Sequence, residues 1–318
     1  MHRRPTQYSR LHLRLGGAAL VATALSLAPR VVQAGNYDLD LTRLGAQTGG
    51  TLVQDDSAFR SLSSELGTVM APRPVDPADS LGLSGFAISA DFGINTIRGN
   101  SDYWQRASER NASNVAPTMQ IMARKGLWPG LEVGAGATHL FDSRMWAMSG
   151  YGKIAIHEGF YKKHPIPSIA IRGSFSRLLG AKDFNMTTAA PSISVSYVFG
   201  LGKTFSLTPY AGYEALIIIA RSHVLDATPN CDEYPDAYNE TCPGVDTGAN
   251  NEFVFRNGGA IVRHRPYFGA RLIFSVMRLG FEAMLTPGGK RAGEIEGTSV
   301  ADRSGFQQQY TFSVGLDF

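Results

Sequence analysis

The chain has no long apolar run. Its best internal stretch, Ala215-Leu216-Ile217-Ile218-Ile219-Ala220, is far short of the roughly 20 residues that a membrane-crossing helix needs. If the chain lives in a membrane, it crosses as strands. Cysteine is almost absent, with two in 318 residues, which excludes a disulfide-dense scaffold. Charge is sparse and unevenly placed: residues 1–34 hold five of the thirty Lys and Arg and none of the twenty-seven Asp and Glu. The remainder has 25 basic against 27 acidic residues, a net charge of −2. The basic excess therefore belongs to the first 34 residues, and nothing in the charge recommends nucleic acid as a partner. No nucleophile motif and no metal-ligand spacing is present, so neither an enzyme nor a cofactor is expected. The nearest approaches to hydrolase chemistry are His139 with Asp142 and Ser143, and His223 with Asp226.

What is present at the two ends agrees on a compartment. Arg3, Arg4, Arg10 and Arg14 precede the small apolar run 18–28, and Val32-Gln33-Ala34 suits a cleavage site. Residues 1–34 read as a secretory signal peptide cut after Ala34. At the other end Tyr310, Phe312, Val314, Leu316 and Phe318 alternate with Thr311, Ser313, Gly315 and Asp317. One face of such a strand suits lipid and the other a wet lumen. Only a closed barrel lets a sheet cross a bilayer, because every backbone donor and acceptor must be paired there. The terminal strand is expected to close the barrel and to act as a C-terminal assembly signal for the barrel-assembly machinery.

Alternation separated by turn chemistry recurs ten times, at 84–97, 115–125, 131–140, 145–157, 168–177, 189–199, 205–220, 260–274, 278–286 and 306–318. The fold class is all-β, an antiparallel transmembrane β-barrel of about ten strands with a short N-terminal helical segment. An even count returns both ends of the barrel to the periplasm. Tight connections at 126–130, 200–204 and 275–277 are expected inside, and the longer ones at 98–114, 178–188, 221–259 and 287–305 outside. Aromatics near strand ends belong at the interfaces: Trp128, Phe160, Phe199, Phe205, Phe274 and Phe318 by the inner turns, Phe141, Trp146 and Phe175 toward the outer loops.

The same registers turn Asp91, Glu132, Glu214 and Glu282 inward with Arg124, Lys153, Arg172, Arg263, Arg265 and Arg271. Mixed charge at close quarters neutralises itself, whereas rings of one sign select ions, so a salt-bridged core is favoured over an ion path. Arg172, Lys153 and Arg271 are expected to pair with Glu214, Glu282 and Asp91 across the bore. Residues 35–83 form a separate piece ahead of the barrel at 84–318. In it, Phe59, Leu62, Leu66 and Val69 recur at helical spacing behind the capping run Asp55-Asp56-Ser57. Such a stripe needs cover, which leaves three placements: the lumen or barrel base, the inner leaflet, or a periplasmic partner. Cys231 and Cys242 share the longest outer loop and are expected to form a disulfide. The acids of that loop match no dedicated calcium spacing and read as a solvated surface.

Several stretches carry a resemblance: Ala58 to Gly67, Leu83-Ser84-Gly85-Phe86, Arg124 to Gly134, Ile169 to Phe175 and Leu207 to Gly212. They resemble proteobacterial outer-membrane β-barrel proteins without an assigned function. A more distant resemblance is to outer-membrane long-chain fatty-acid transporters, whose Asn-Pro-Ala near the mature N-terminus is missing here. The resemblance implies a Gram-negative outer-membrane location and brings no ligand residues. The functions to be weighed are small-solute transport or binding, a structural or surface-interaction barrel with a closed, salt-bridged lumen, and, behind these, an outer-membrane hydrolase. The expected partners are outer-membrane lipid and lipopolysaccharide, and the barrel is expected to be a monomer.

Overall fold

In the computed structural model, period-two alternation becomes ten antiparallel strands whose ladder closes on itself. Residues 35–48, 51–157, 166–202, 204–226, 252–289 and 292–318 are described. The strands are β1 (Phe86–Thr96), β2 (Val115–Trp128), β3 (Leu131–Leu140), β4 (Trp146–His157), β5 (Ser168–Leu179), β6 (Phe184–Ser196), β7 (Phe205–Ser222), β8 (Ile261–Phe274), β9 (Met277–Thr286) and β10 (Gln307–Asp317). Each pairs with its sequence neighbours, and β10 pairs with β1 to close the ring. Closure leaves no sheet edge at the seam between first and last strands. At that seam Phe318 donates its N–H to the Phe86 carbonyl at 2.7 Å and accepts from the Phe86 N–H at 3.0 Å. The two rings stack with centroids 6.4 Å apart.

The alternation sorts side chains as a bilayer requires. Ile88, Phe92, Ile121, Met148, Ile171, Ile193, Phe268, Phe281, Phe312 and Val314 are exposed on the outer wall, and Asp91, Gln120, Ser174, Glu214 and Glu282 are buried within. A closed barrel with an apolar exterior and a polar interior is the outer-membrane architecture. Trp128, Phe199, Phe205, Phe274 and Phe318 are exposed around the end with the tight turns, and Phe141, Trp146 and Phe175 lie outward toward the other end. Phe160 lies outside the described residues.

Both boundaries of β6 differ from expectation. Strand β6 begins at Phe184 rather than 189, so the connection from β5 shrinks to 180–183. Polar Asn185 and Thr187 stand on its outward face near the rim, which hides the alternation from a hydrophobicity reading. At its other end Phe199–Leu201 leaves β6 and pairs back on the start of β7.

The described chain from Gly35 to Phe318 is one compact unit, the segment ahead of the first strand included. The segment starts at the end that carries the long connections, which for this architecture is the extracellular one. There the Tyr37 N–H donates to the Asp142 carbonyl at 3.2 Å, and Asp38 accepts from the Arg144 N–H at 2.8 Å. A hairpin of Gly45–Thr48 with Thr51–Gln54 follows. Helix α1 (Asp56–Met70) then descends into the lumen, capped by the Asp55 carboxylate on the Ala58 N–H at 2.9 Å. Its length of roughly 22 Å covers most of a bilayer core. Every residue from Ala58 to Met70 is buried.

A helix fits this bore because it is slim. Ala58, Ser61, Ser63, Ser64, Gly67 and Thr68 keep its profile small. At Gly67 a Cβ would lie 2.6 Å from the Ile218 Cδ1 of β7. The stripe Phe59, Leu62, Leu66 and Val69 joins one cluster with Leu140, Leu178, Phe184, Met186, Leu216 and Ile218. Phe59 stacks on Phe255 at 5.2 Å and meets Phe184 edge-on at 5.6 Å. The outer half of the lumen is therefore partly apolar, which the charge-based reading missed although the register that turns Glu214 inward also turns Leu216 and Ile218 inward.

Candidate functional site: the occupied lumen

The polar face of α1 turns to the outer connections and is held by one carboxylate. Glu65 is fully buried. Its Oε1 accepts from Tyr103 Oη at 2.9 Å and the Gly305 N–H at 2.8 Å. Its Oε2 accepts from Trp104 Nε1 at 2.8 Å and the Arg98 N–H at 3.0 Å. Tyr103 and Trp104 belong to α2 (Asp102–Ala107) in the first outer connection, and Gly305 to the last. One side chain of the lumen helix thus ties together the connections that flank the closing seam. The Tyr103 phenol is pushed up from its ordinary range, by burial first and by the adjacent Glu65 second, so it stays protonated and donates.

Below α1 the chain runs extended as Ala71 to Ser80, where Pro72, Pro74 and Pro77 exclude helix. Two acids on this strap meet the cations of the wall. Asp76 accepts from Lys153 and lies 3.0 Å from Arg278, 3.6 Å from Arg271 and 3.7 Å from Arg124. Asp79 pairs with Arg271. Wall donors also take strap carbonyls: Arg124 on Pro74, Arg278 on Val75, and Lys153 on Asp79 at 2.8 Å. Arg73 reaches back to Asn95 and, at 2.7 Å, to the Thr118 hydroxyl.

All ten charged side chains assigned inward from the sequence are inward and buried. Their pairing differs from expectation. Lys153 bonds Asp76 and lies 3.2 Å from Glu132. Glu214 pairs with Arg265 rather than with Arg172. Glu282 accepts from Tyr210 at 3.0 Å, and Asp91 from Gln120 at 3.1 Å. Arg172 donates to the Tyr267 hydroxyl at 3.3 Å, and among the described residues no carboxylate lies within 4 Å of it. The wall cations are neutralised largely by the strap, because a segment down the axis reaches them at shorter range than the opposite wall. The sequence reading missed Glu65, Arg73, Asp76, Asp79 and Arg278. Arg278 shares the parity of Glu282, so the register could have found it. Asp76 stands between Pro74 and Pro77 and Asp79 two residues beyond, in a stretch that reads only as an extended connection to the first strand.

Of the hydrolase candidates, His139 and Ser143 meet other groups. His139 stacks on Trp146 at 4.4 Å and its Nδ1 faces the Met145 carbonyl at 3.1 Å, while the Ser143 hydroxyl caps the Leu140 carbonyl at 2.8 Å. His223 lies 3.7 Å from Asp183. Among the described residues no cluster of His, Cys, Asp and Glu could hold a metal. Cys231, Cys242 and most of their acidic loop lie outside the described residues.

No protein-family model and no curated protein matches the chain. Solved structures similar to it are outer-membrane barrels. The attachment invasion locus protein Ail of Yersinia pestis, at 9% identity, covers 74% of this chain and 99% of its own, with a TM-score of 0.24. Neisserial surface protein A covers 73% and 95% at 9% identity and a TM-score of 0.28. The outer-membrane protease OmpT of Escherichia coli covers 74% and 96% at 9% identity, with a TM-score of 0.29. No residue is carried over from them, and they do not show the likeness to fatty-acid transporters.

Proposed function

We propose that this protein is a closed outer-membrane barrel that acts as a surface scaffold rather than as a conduit. The observation that carries the reading is the occupied lumen: α1 and the strap run through it, Glu65 binds the outer connections from within, and Asp76 gathers four cations of the wall. Emptying the bore would break all of these contacts at once and bare the apolar stripe of α1 and the inward patch of the wall to water. What faces the cell exterior is then a shaped surface made of residues 35–48 and 51–54, α2 and the described parts of the outer connections.

A second reading, transport with α1 as a movable hatch, draws on the mixed-charge lumen. A lock separates the two. Ser64 Oγ lies 3.1 Å from Ser304 Oγ, so Ser64→Cys with Ser304→Cys places two thiols where a disulfide can fasten the helix to the last outer connection. In liposomes, arabinose uptake should be negligible with this pair reduced or oxidised. Uptake in the reduced form that oxidation abolishes would establish the hatch.

A further inference from the structure

Among the described residues the ladder between β8 and β9 is incomplete. Strand β8 pairs with β7 along its whole length, from Ile261 opposite Ile218 to Phe274 opposite Phe205. With β9 it pairs only from Tyr267 onward, so Ile261 to Pro266 have no ladder partner on that side. Two prolines explain the stop. Pro266 is the first unpaired residue of β8, and Pro287 follows the last residue of β9; neither has an N–H to give to a ladder. In place of ladder bonds the Arg263 guanidinium crosses the gap, donating to the Pro287 carbonyl at 2.7 Å and the Gly305 carbonyl at 3.2 Å.

A cavity of about 290 Å³ fills this gap. Its inner end holds two arginines, Arg60 of α1 and Arg263, with Asp302 beside them; its mouth is formed by Val262, His264 and the Pro287-Gly288-Gly289 turn. Arg60 is 3% exposed, and its Nε is buried without a hydrogen-bond partner. Among the described residues neither arginine has a carboxylate within 4 Å: Arg60 spends one nitrogen on the Asn257 and Gly259 carbonyls, and Arg263 bonds hydroxyls and carbonyls. Asp302 accepts the Ser304 N–H at 3.0 Å on one oxygen and, as a lining carboxylate, is the nearby counter-charge that the two arginines share, one acid against two cations. Val262 and His264 have the outward parity of β8, so the mouth lies on the outer face of the wall. Val262 stands opposite Ile217 on the outward face of the wall, and Ile219 is exposed one step further out.

We propose that this gap is a binding site for an amphiphile of the outer leaflet that carries a compact anionic head, phosphate or carboxylate. The head enters between Arg60 and Arg263, where planar guanidinium groups suit such oxyanions. The chain remains in the bilayer along Val262 and Ile217. The site is reached from the side of the barrel, so it functions with the lumen closed.

The test uses the full-length protein in neutral-detergent micelles, with dodecyl phosphate, dodecanol and inorganic phosphate as probes in separate titrations. Dodecyl phosphate should bind saturably at one site, and at least tenfold more tightly than either dodecanol or inorganic phosphate. Arg60→Gln should weaken it at least tenfold. Val262→Trp obstructs the mouth without touching either arginine and should do the same, with heat-modifiable gel mobility kept as proof of folding. Equal binding of inorganic phosphate would reject the amphiphile, equal binding of dodecanol would reject the anion site, and undiminished binding by Val262→Trp would reject the lateral mouth. Absence of saturable binding by the unaltered protein would reject the whole proposal.

Discussion

At the residue scale, the side chain on which most depends is Glu65. Four donors converge on its two oxygens, two of them backbone N–H groups that cannot turn elsewhere. An orphaned buried donor costs about 1–3 kcal/mol, and losses within one network are not additive. Glu65→Ala should therefore destabilise the folded barrel by about 3–5 kcal/mol, read as a lower urea midpoint for loss of heat-modifiable mobility. Glu65→Gln keeps one acceptor oxygen and should fall between. An alanine variant as stable as the parent would mean that the outer connections stand without the helix. Nothing in the sequence singles this residue out: a glutamate amid serines reads as the wet side of a surface helix, and its partners lie about 35 residues downstream and near position 305. The wall charges were legible for the opposite reason, since period-two register fixes the face of a strand residue without knowledge of its partner.

At the scale of elements, the strands could be read because each carries its own two-faced pattern. The helix could be read too, but not its place. An apolar stripe says only that cover is needed, and the cover here is an inward patch from β3, β5, β6 and β7 whose members are scattered among serines and threonines. The direction of entry was likewise hidden, because contacts of Tyr37 and Asp38 with residues near 142 carry no local signal. The element most open to test is β10. Phe318, the residue that follows it, shares two backbone hydrogen bonds and a ring stack with Phe86, and the strand pairs on both sides. Deleting 310–318 removes both ladders and should abolish the folded, heat-modifiable form. Phe318→Asp keeps the ladder and should lower its yield several-fold. Undiminished folding after the deletion would contradict the closure described here.

For the molecule as a whole, residues 35–54 lie at the end of the long connections, so the polypeptide crosses the lumen once before the first strand begins. This topology can be checked on intact cells in a background with Cys231→Ser and Cys242→Ser. Gln54→Cys, at an exposed position ahead of α1, should react with a membrane-impermeant maleimide. Val276→Cys, exposed in the β8–β9 turn, should react only after the outer membrane is opened. Reversed labelling would place the segment in the periplasm.

The strap also alters what removal of the N-terminal segment should do. Had the wall neutralised itself, deletion would leave a plugged bore; because Asp76 and Asp79 lie on the strap, deletion strips Arg124, Lys153, Arg271 and Arg278 of their shared counter-charge. Planar-bilayer conductance tests the closed lumen most directly. The full-length protein should show no steady channels, and the variant lacking 35–80, where it inserts, should open long-lived ones that prefer anions, since the exposed ring is cationic. Large, stable conductance through the full-length protein would contradict the occupied, closed barrel.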